Sequence, residues 1–358
     1  MKQTQSCADS LQQARLARYS PGSIKASARY LWPLAALMLL LAVNLVLDVS
    51  FFQLSFQDGR LYGSLIDILN RSAPVALLAI GMSLVIATGG IDLSVGAVMA
   101  IAGAVCANLL LQTALPLALL IAAGLATGIA AGLINGTLVS YLKIQPIVAT
   151  LLLMVAGRGV AQLINQGQIV TFQRPDFAWL GTGSWLGLPL PIWLVIGMFA
   201  LSQLLLRRTA LGLFIEAVGC NATASRYLGI NDKAIKLFVY AFAGFCAALA
   251  GMISAADIQG SDANNAGLWL ELDAILAVVI GGAALSGGRF SLLLSVIGVL
   301  IIQSLSTTII VSGLPAKFNL LIKALVVLLV LLLQSDKFRC QLSSWLPKLR
   351  KWRKGGQI

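Results

Sequence analysis

One carboxylate, Asp92, stands between two long apolar runs in the stretch Thr88-Gly-Gly-Ile-Asp-Leu-Ser-Val-Gly-Ala97. An ionised acid at the centre of a membrane helix costs about 3 kcal/mol, so its presence needs a chemical reason. One reason is structural. Asp92 follows Gly89 and Gly90 and precedes a new apolar span, where a capping carboxylate accepts from the free N–H groups of the next turn, the turn that holds Ser94. The other is functional: a charged group lining a path for solute, or coupling that path to an ion.

Three further sets of residues carry chemistry. Arg158 interrupts an apolar run and needs an acid or backbone carbonyls as partners. Asp257, Gln259, Ser261, Asp262, Asn264, Asn265 and Trp269 gather donors and acceptors beside an aromatic ring. That set suits a hydroxyl-rich, uncharged solute, and equally a wet loop or a docking surface. In Glu216-Ala-Val-Gly-Cys-Asn-Ala-Thr-Ala-Ser-Arg-Tyr-Leu-Gly-Ile230, residues 222–228 read as a short helix capped by Asn221 and ended by Gly229. Such a helix, with Glu216, Gly219 and Arg226 around it, is shaped to enter a groove on a cytoplasmic partner, or it is a solvated connection.

What is missing narrows the chemistry. The chain has no histidine, which removes imidazole acid–base catalysis and histidine metal ligands. It has no GxxxxGK[ST] loop to cradle the phosphates of ATP. No metal, cofactor or catalytic residue is expected. The five cysteines, Cys7, Cys106, Cys220, Cys246 and Cys340, fall in cytoplasmic segments or spans, away from any outer-face disulfide.

The elements that hold these residues are membrane helices. Of 358 residues 59% are hydrophobic and 11% charged, with mean hydropathy +0.91. A span needs about 20 apolar residues, and the runs give about ten: 30–49, 68–87, 93–112, 115–139, 147–166, 190–206, 234–256, 272–285, 291–311 and 320–333. The expected fold is therefore all-α, a polytopic membrane helix bundle. It divides into a basic tail (1–29), a transmembrane domain (30–335) with a cytoplasmic loop at 207–236, and a second basic tail (336–358). The first apolar run is too long for a signal-peptide core and reads as a retained span.

The net charge of +12 resides mostly in both tails and in Lys143, Arg207, Arg208, Arg226, Lys233, Lys236 and Arg289, which places both termini in the cytoplasm by the positive-inside rule. Asp58, Asp176, Asp257, Asp262, Glu271 and Asp273 fall on or near the other face. The positive charge thus orients the protein in the bilayer, and nucleic acid is not expected as a partner. Gly124, Gly128, Gly132 and Gly136 form a ridge for close helix packing, with Ala243, Ala247 and Gly251 as a second. Long outer loops run over 167–189, with Trp179 and Trp185, and over 257–270. Gly89–Gly96 and Gly281–Gly288, which includes Gly282, share the pattern GGxxLSxG, through chance or an ancient duplication.

The stretches TGGIDLSVGA (88–97), AVGCNATASRYLGI (217–230) and VVIGGAALSGGR (278–289) resemble the inner-membrane permease subunits of bacterial ABC sugar importers, the ribose/xylose/arabinose permease family. The similarity runs over about 30–333. Longer runs at 73–82, 153–164 and 262–282 resemble the galactofuranose-transporting members and imply that sugar as solute. The resemblance implies two permease copies, homodimeric or heterodimeric, separate ABC ATPase subunits and a periplasmic sugar-binding protein. It further implies that 216–230 is the element docking on the ATPase. Ala283 and Ala284 depart from the Thr-Ser usual in the family's second hairpin, which argues against a hydroxyl role there. A gradient-driven carrier or channel is the alternative, motivated by Asp92 and Arg158. An enzyme acting on lipid-linked sugars lacks the carboxylate pair, histidine or metal cluster it would need.

Overall fold

The computed structural model describes residues 25–334 apart from 58, 314, 316 and 317. The two expected tails, with Cys7 and Cys340, lie largely outside these residues, as do Asp58 and Lys317. Helices follow in the order α1 (Lys25–Leu47), α2 (Ser64–Ala87), α3 (Val95–Gln112), α4 (Leu117–Ser140), α5 (Pro146–Ile164), α6 (Pro175–Thr182), α7 (Leu190–Arg208), α8 (Leu211–Cys220), α9 (Ala222–Tyr227), α10 (Asp232–Ile258), α11 (Leu270–Ile280), α12 (Leu292–Val311) and α13 (Asn319–Gln334). Short antiparallel pairs join β1 (Ser55–Gln57) to β2 (Arg60–Tyr62), β3 (Val170–Thr171) to β6 (Gly260–Ser261), and β4 (Ser184–Trp185) to β5 (Leu188–Pro189).

Helices dominate because hydrocarbon offers no partner for a backbone N–H or C=O, so each apolar run must satisfy its own. Among the described residues seven helices, α2, α3, α4, α5, α7, α10 and α12, are long and apolar enough to cross a membrane. They match seven of the expected spans. The other three are shorter: the apolar part of α1 is 32–47, α13 has 16 residues, and α11 has 11. At ~1.5 Å per residue α11 is about 16 Å long, half a bilayer core.

The centre of the bundle is α10, packed between α2, α3 and α4. The glycine ridge of α4 lies directly against it. A Cβ at Gly128 would strike the Gly244 carbonyl, and one at Gly132 the Tyr240 carbonyl. The second ridge is used as well, since Gly81 of α2 packs on Ala243 and Gly251 on the Met99 carbonyl of α3. Close backbone approach multiplies dispersion contacts, which substitute in lipid for the hydrophobic drive of water.

The loop at 207–236 holds two helices, α8 and α9, where the sequence suggests one. Lys143, Arg207, Arg208, Lys233, Lys236 and Arg289 all lie close to the helix ends and turns on this side, the basic end of the bundle.

At the opposite end the chain turns back into the bundle. Beyond α10, Gln259 adopts the left-handed region (φ 49°), and β6 pairs with β3. Asn165, which ends α5, donates from Nδ2 to the Ser261 carbonyl at 3.0 Å. Further along, Gly267 packs on Gly96, whose neighbour Ala97 faces Gly157 of α5. Gly157 lies roughly two turns, ~12 Å, short of Asn165, so the chain has descended about that far before α11 begins. This re-entry corrects the expected position of Glu271, which lies inside the bundle instead of on its outer face. The segment is held there by Arg158, which donates to the Ala263 and Ala266 carbonyls, and by the contact of Gly267 with Gly96.

Candidate functional site

The stretch 88–94 is non-helical, with Asp92 and Ser94 buried within it. α3 begins at Val95 with Ser94 in the capping position, so Asp92 is not itself the helix cap. Its Oδ1 accepts from the Ser94 N–H at 2.9 Å and from the Ser94 hydroxyl at 2.6 Å. Asn135 of α4 completes the cluster, donating from Nδ2 to Ser94 Oγ at 2.7 Å and to Asp92 at 3.4 Å. Thr150 of α5 donates to the Ile91 carbonyl at 3.2 Å. Asp92 therefore ties the loop to α4 and fixes the start of α3, and the sequence pattern contained no sign of Asn135 or Thr150. Gly90 lies against the Tyr240 hydroxyl, which has no hydrogen-bond partner.

The two GGxxLSxG stretches meet. The Gly288 N–H donates to the Ala87 carbonyl at 2.9 Å, and Gly287 packs on Gly89. Gly281 and Gly282 are set apart from this contact, with Gly281 against Leu294 and Ser295 at the start of α12. The joining residues are Gly287 and Gly288 on the second stretch and, on the first, Gly89 with Ala87 just before it. Gly219, near the end of α8, closes the junction: a Cβ there would run into the Ala87 carbonyl and the Gly288 nitrogen. One residue expected in the coupling loop thus touches both hairpins.

Beyond that junction Asn221 caps α9, its Oδ1 accepting from the Ala224 N–H at 3.0 Å. Gly229 ends the turn at φ 82°, in the region that favours glycine. Arg226 makes a bidentate pair with Asp232 at 2.9 and 2.8 Å, fastening α9 to the start of α10. Hydrogen bonding to Asp232 raises the pKa of Arg226. Tyr227 and Leu228 are 88% and 81% exposed, an aromatic and an aliphatic side chain projecting from the turn. Glu216 sits half-buried on α8, and its side chain makes no contact that assigns it a role.

At the opposite end the set proposed for solute contact divides. Asp262, Asn264, Asn265 and Trp269 lie on the re-entrant segment, whereas Asp257 lies at the end of α10 against Gly181, in the field of Arg71 and Arg60. Asp262 Oδ1 accepts from the N–H groups of Asn264 and Asn265 at 3.0 and 3.2 Å, and Oδ2 from the Asn265 amide at 2.7 Å. The Asn265 side chain foremost, with the backbone donors, holds its carboxyl below the usual range. Arg158 donates to the Ala263 carbonyl at 3.0 Å and also to that of Ala266, and Gln162 donates to Asn264 Oδ1 at 2.6 Å. Arg158 therefore supports non-helical backbone by satisfying its carbonyls. Among the described residues no group of three or more His, Cys, Asp or Glu is placed to hold a metal ion.

The arrangement is that of a multi-pass membrane protein with two non-helical re-entries, the second partly exposed, and a small exposed turn at its basic end. Residues 64–331 match the family described as branched-chain amino acid transport system / permease component, and the chain belongs to that family. It is 60% identical over 324 residues to the galactofuranose transporter permease protein YtfT of Escherichia coli, covering 89% of this chain and 94% of that protein. It is also 42% identical to the fructose import permease protein FruF of Bifidobacterium longum, over 87% of this chain and 89% of that protein. Against the ribose import permease protein RbsC of Bacillus subtilis identity is 37%, over 82% and 90%. No solved structure matches the chain.

Proposed function

We propose that this chain is the membrane-spanning permease of an ATP-driven importer that moves galactofuranose into the cytoplasm by alternating access. The observation that carries this reading is the 60% identity, across nearly the whole chain, to a protein named for galactofuranose transport. The fall to 42% and 37% for fructose and ribose permeases favours the same solute within a shared design. The protein resides in the bacterial inner membrane with its basic end and both termini in the cytoplasm. Its partners are an ABC ATPase subunit, a periplasmic sugar-binding protein and a second permease copy.

ATP is bound by the ATPase and acts on this chain only through its different affinity for the two access states. Glu216, Gly219, Asn221, Arg226 and Gly229 shape the element that receives the ATPase, with Tyr227 and Leu228 as its contact surface. Gly89, Gly90, Asp92, Ser94, Gly281 and Gly282 belong to the inner gate that this element moves. Asn264, Asn265 and Trp269 face the solute, while Asp262 holds their turn and Asp257 serves the binding-protein side.

The test is reconstitution of the chain in liposomes with and without its ATPase and binding protein, measuring uptake of labelled galactofuranose against ribose and galactopyranose. ATP-dependent uptake that needs all parts and prefers the furanose is expected. Uptake by this chain alone under a proton or sodium gradient would replace the importer with the carrier.

A further inference from the structure

The helix break before α11 is built to do more than re-enter. Non-helical backbone at membrane depth is tolerated only where protein buries it or where it lines a water-filled cavity. Here Asn264 and Asn265 are exposed, and Trp269 is 51% exposed at φ 68°, on the face shared with Arg158 and Gln162. Asn264 accepts from Gln162 within a turn of the end of α5, while Trp269 follows Gly267 at the depth of Gly96, so the amides and the indole form one exposed face that runs from the end of the bundle inwards.

The charge at the break is the second observation. The first turn of α11 carries Glu271 and Asp273, where the free N–H groups concentrate positive potential. Asp273 is satisfied by Lys323 at 2.7 Å. Glu271 is only 7% exposed, and its Oε2 is buried with no hydrogen-bond partner, pointed into the space left by the missing Cβ of Gly96 at 2.5 Å. Arg158 is near enough to Glu271 to attract it, but its guanidinium donates to two carbonyls. The positive helix end and Arg158 would together attract an anion, and Glu271 offsets them from inside the wall.

We propose that the break is a solute site within the permease, selective for uncharged sugars, in which Trp269, Asn264 and Asn265 meet the sugar and Glu271 excludes anions. This rests on the sugar-importer reading. Glu271 is a positioning charge that acts through the field at the helix end, without touching the solute. Its removal should therefore alter which solutes are accepted, a change that a purely structural role would not produce.

The full chain, assembled with its ATPase in nanodiscs, is examined by saturation-transfer NMR with methyl galactofuranoside and the corresponding uronate as probes. The wild-type chain should favour the neutral sugar by about tenfold or more, and Glu271→Gln should bring the two within about threefold by admitting the uronate. Trp269→Ala, at an exposed position, should lower the neutral-sugar signal about fivefold. Leu272→Ala, next along the helix and outside the site, should retain wild-type discrimination. Unchanged discrimination in Glu271→Gln, a full signal in Trp269→Ala, or no sugar signal in the wild type would each overturn the site. Liposome uptake separates this failure from that of the importer reading: normal wild-type uptake with any of those NMR results removes only the solute site.

Discussion

At the scale of single residues, Asp92 shows how an expensive side chain is retained. Its carboxylate receives the Ser94 N–H and hydroxyl and is 1% exposed, so deleting it strands buried donors. Asp92→Ala should lower stability by about 1–3 kcal/mol, read as a lower melting temperature of the purified chain. Asp92→Asn keeps an acceptor oxygen in the same place and should retain both melting temperature and uptake. If uptake disappears in Asp92→Asn while the melting temperature holds, the charge itself serves transport and the anchoring account fails. The presence of an important acid was legible from its apolar flanks. Its partner Asn135 was not, because it lies on another helix and only the crossing of α4 over the loop brings it near.

At the scale of elements, the glycine ridge was readable because its four-residue period is fixed by helix geometry, and the structure places it on α10. Gly132→Leu has no room, since the obstruction is the Tyr240 carbonyl and the Ala241 Cα at 2.8 Å, which are backbone and cannot swing aside. It should reduce the amount of folded chain recovered from membranes severalfold, whereas Gly159→Leu, with nothing within 4 Å, should leave recovery unchanged. α9 was legible from its asparagine cap and closing glycine, but α8 was not, since Arg207 and Arg208 ended the expected span and left 211–220 inside the loop. Tyr227→Ala together with Leu228→Ala removes exposed side chains only. Melting temperature should stay put while uptake falls about tenfold or more and ATPase activity persists, the signature of a lost hot spot in a docking surface. Bulky residues at Asn221 or Gly229 should likewise abolish uptake with insertion intact. Normal uptake in these variants would remove the docking assignment.

At the scale of the whole molecule, hydropathy led to about ten expected spans, and seven of them are helices long and apolar enough to cross a membrane among the described residues, because lipid imposes a single rule on every helix. It misjudged α11, since a half helix and a full span have similar composition and differ in where the chain turns, which is decided by Gly267 meeting Gly96. The proposed orientation, read from charge, predicts that a cysteine at Tyr227, in a chain otherwise free of cysteine, reacts with a membrane-impermeant maleimide only in inside-out vesicles. Labelling in right-side-out vesicles would invert the topology. The junction of Ala87, Gly219 and Gly288 has a mechanical meaning on this reading. Side-chain contacts have rotamers that absorb a push before passing it on, but here backbone rests on backbone. On the proposed coupling, a displacement of α8 would arrive at both hairpins together, without lost motion, and a short stroke at the surface would suffice to work the proposed gate.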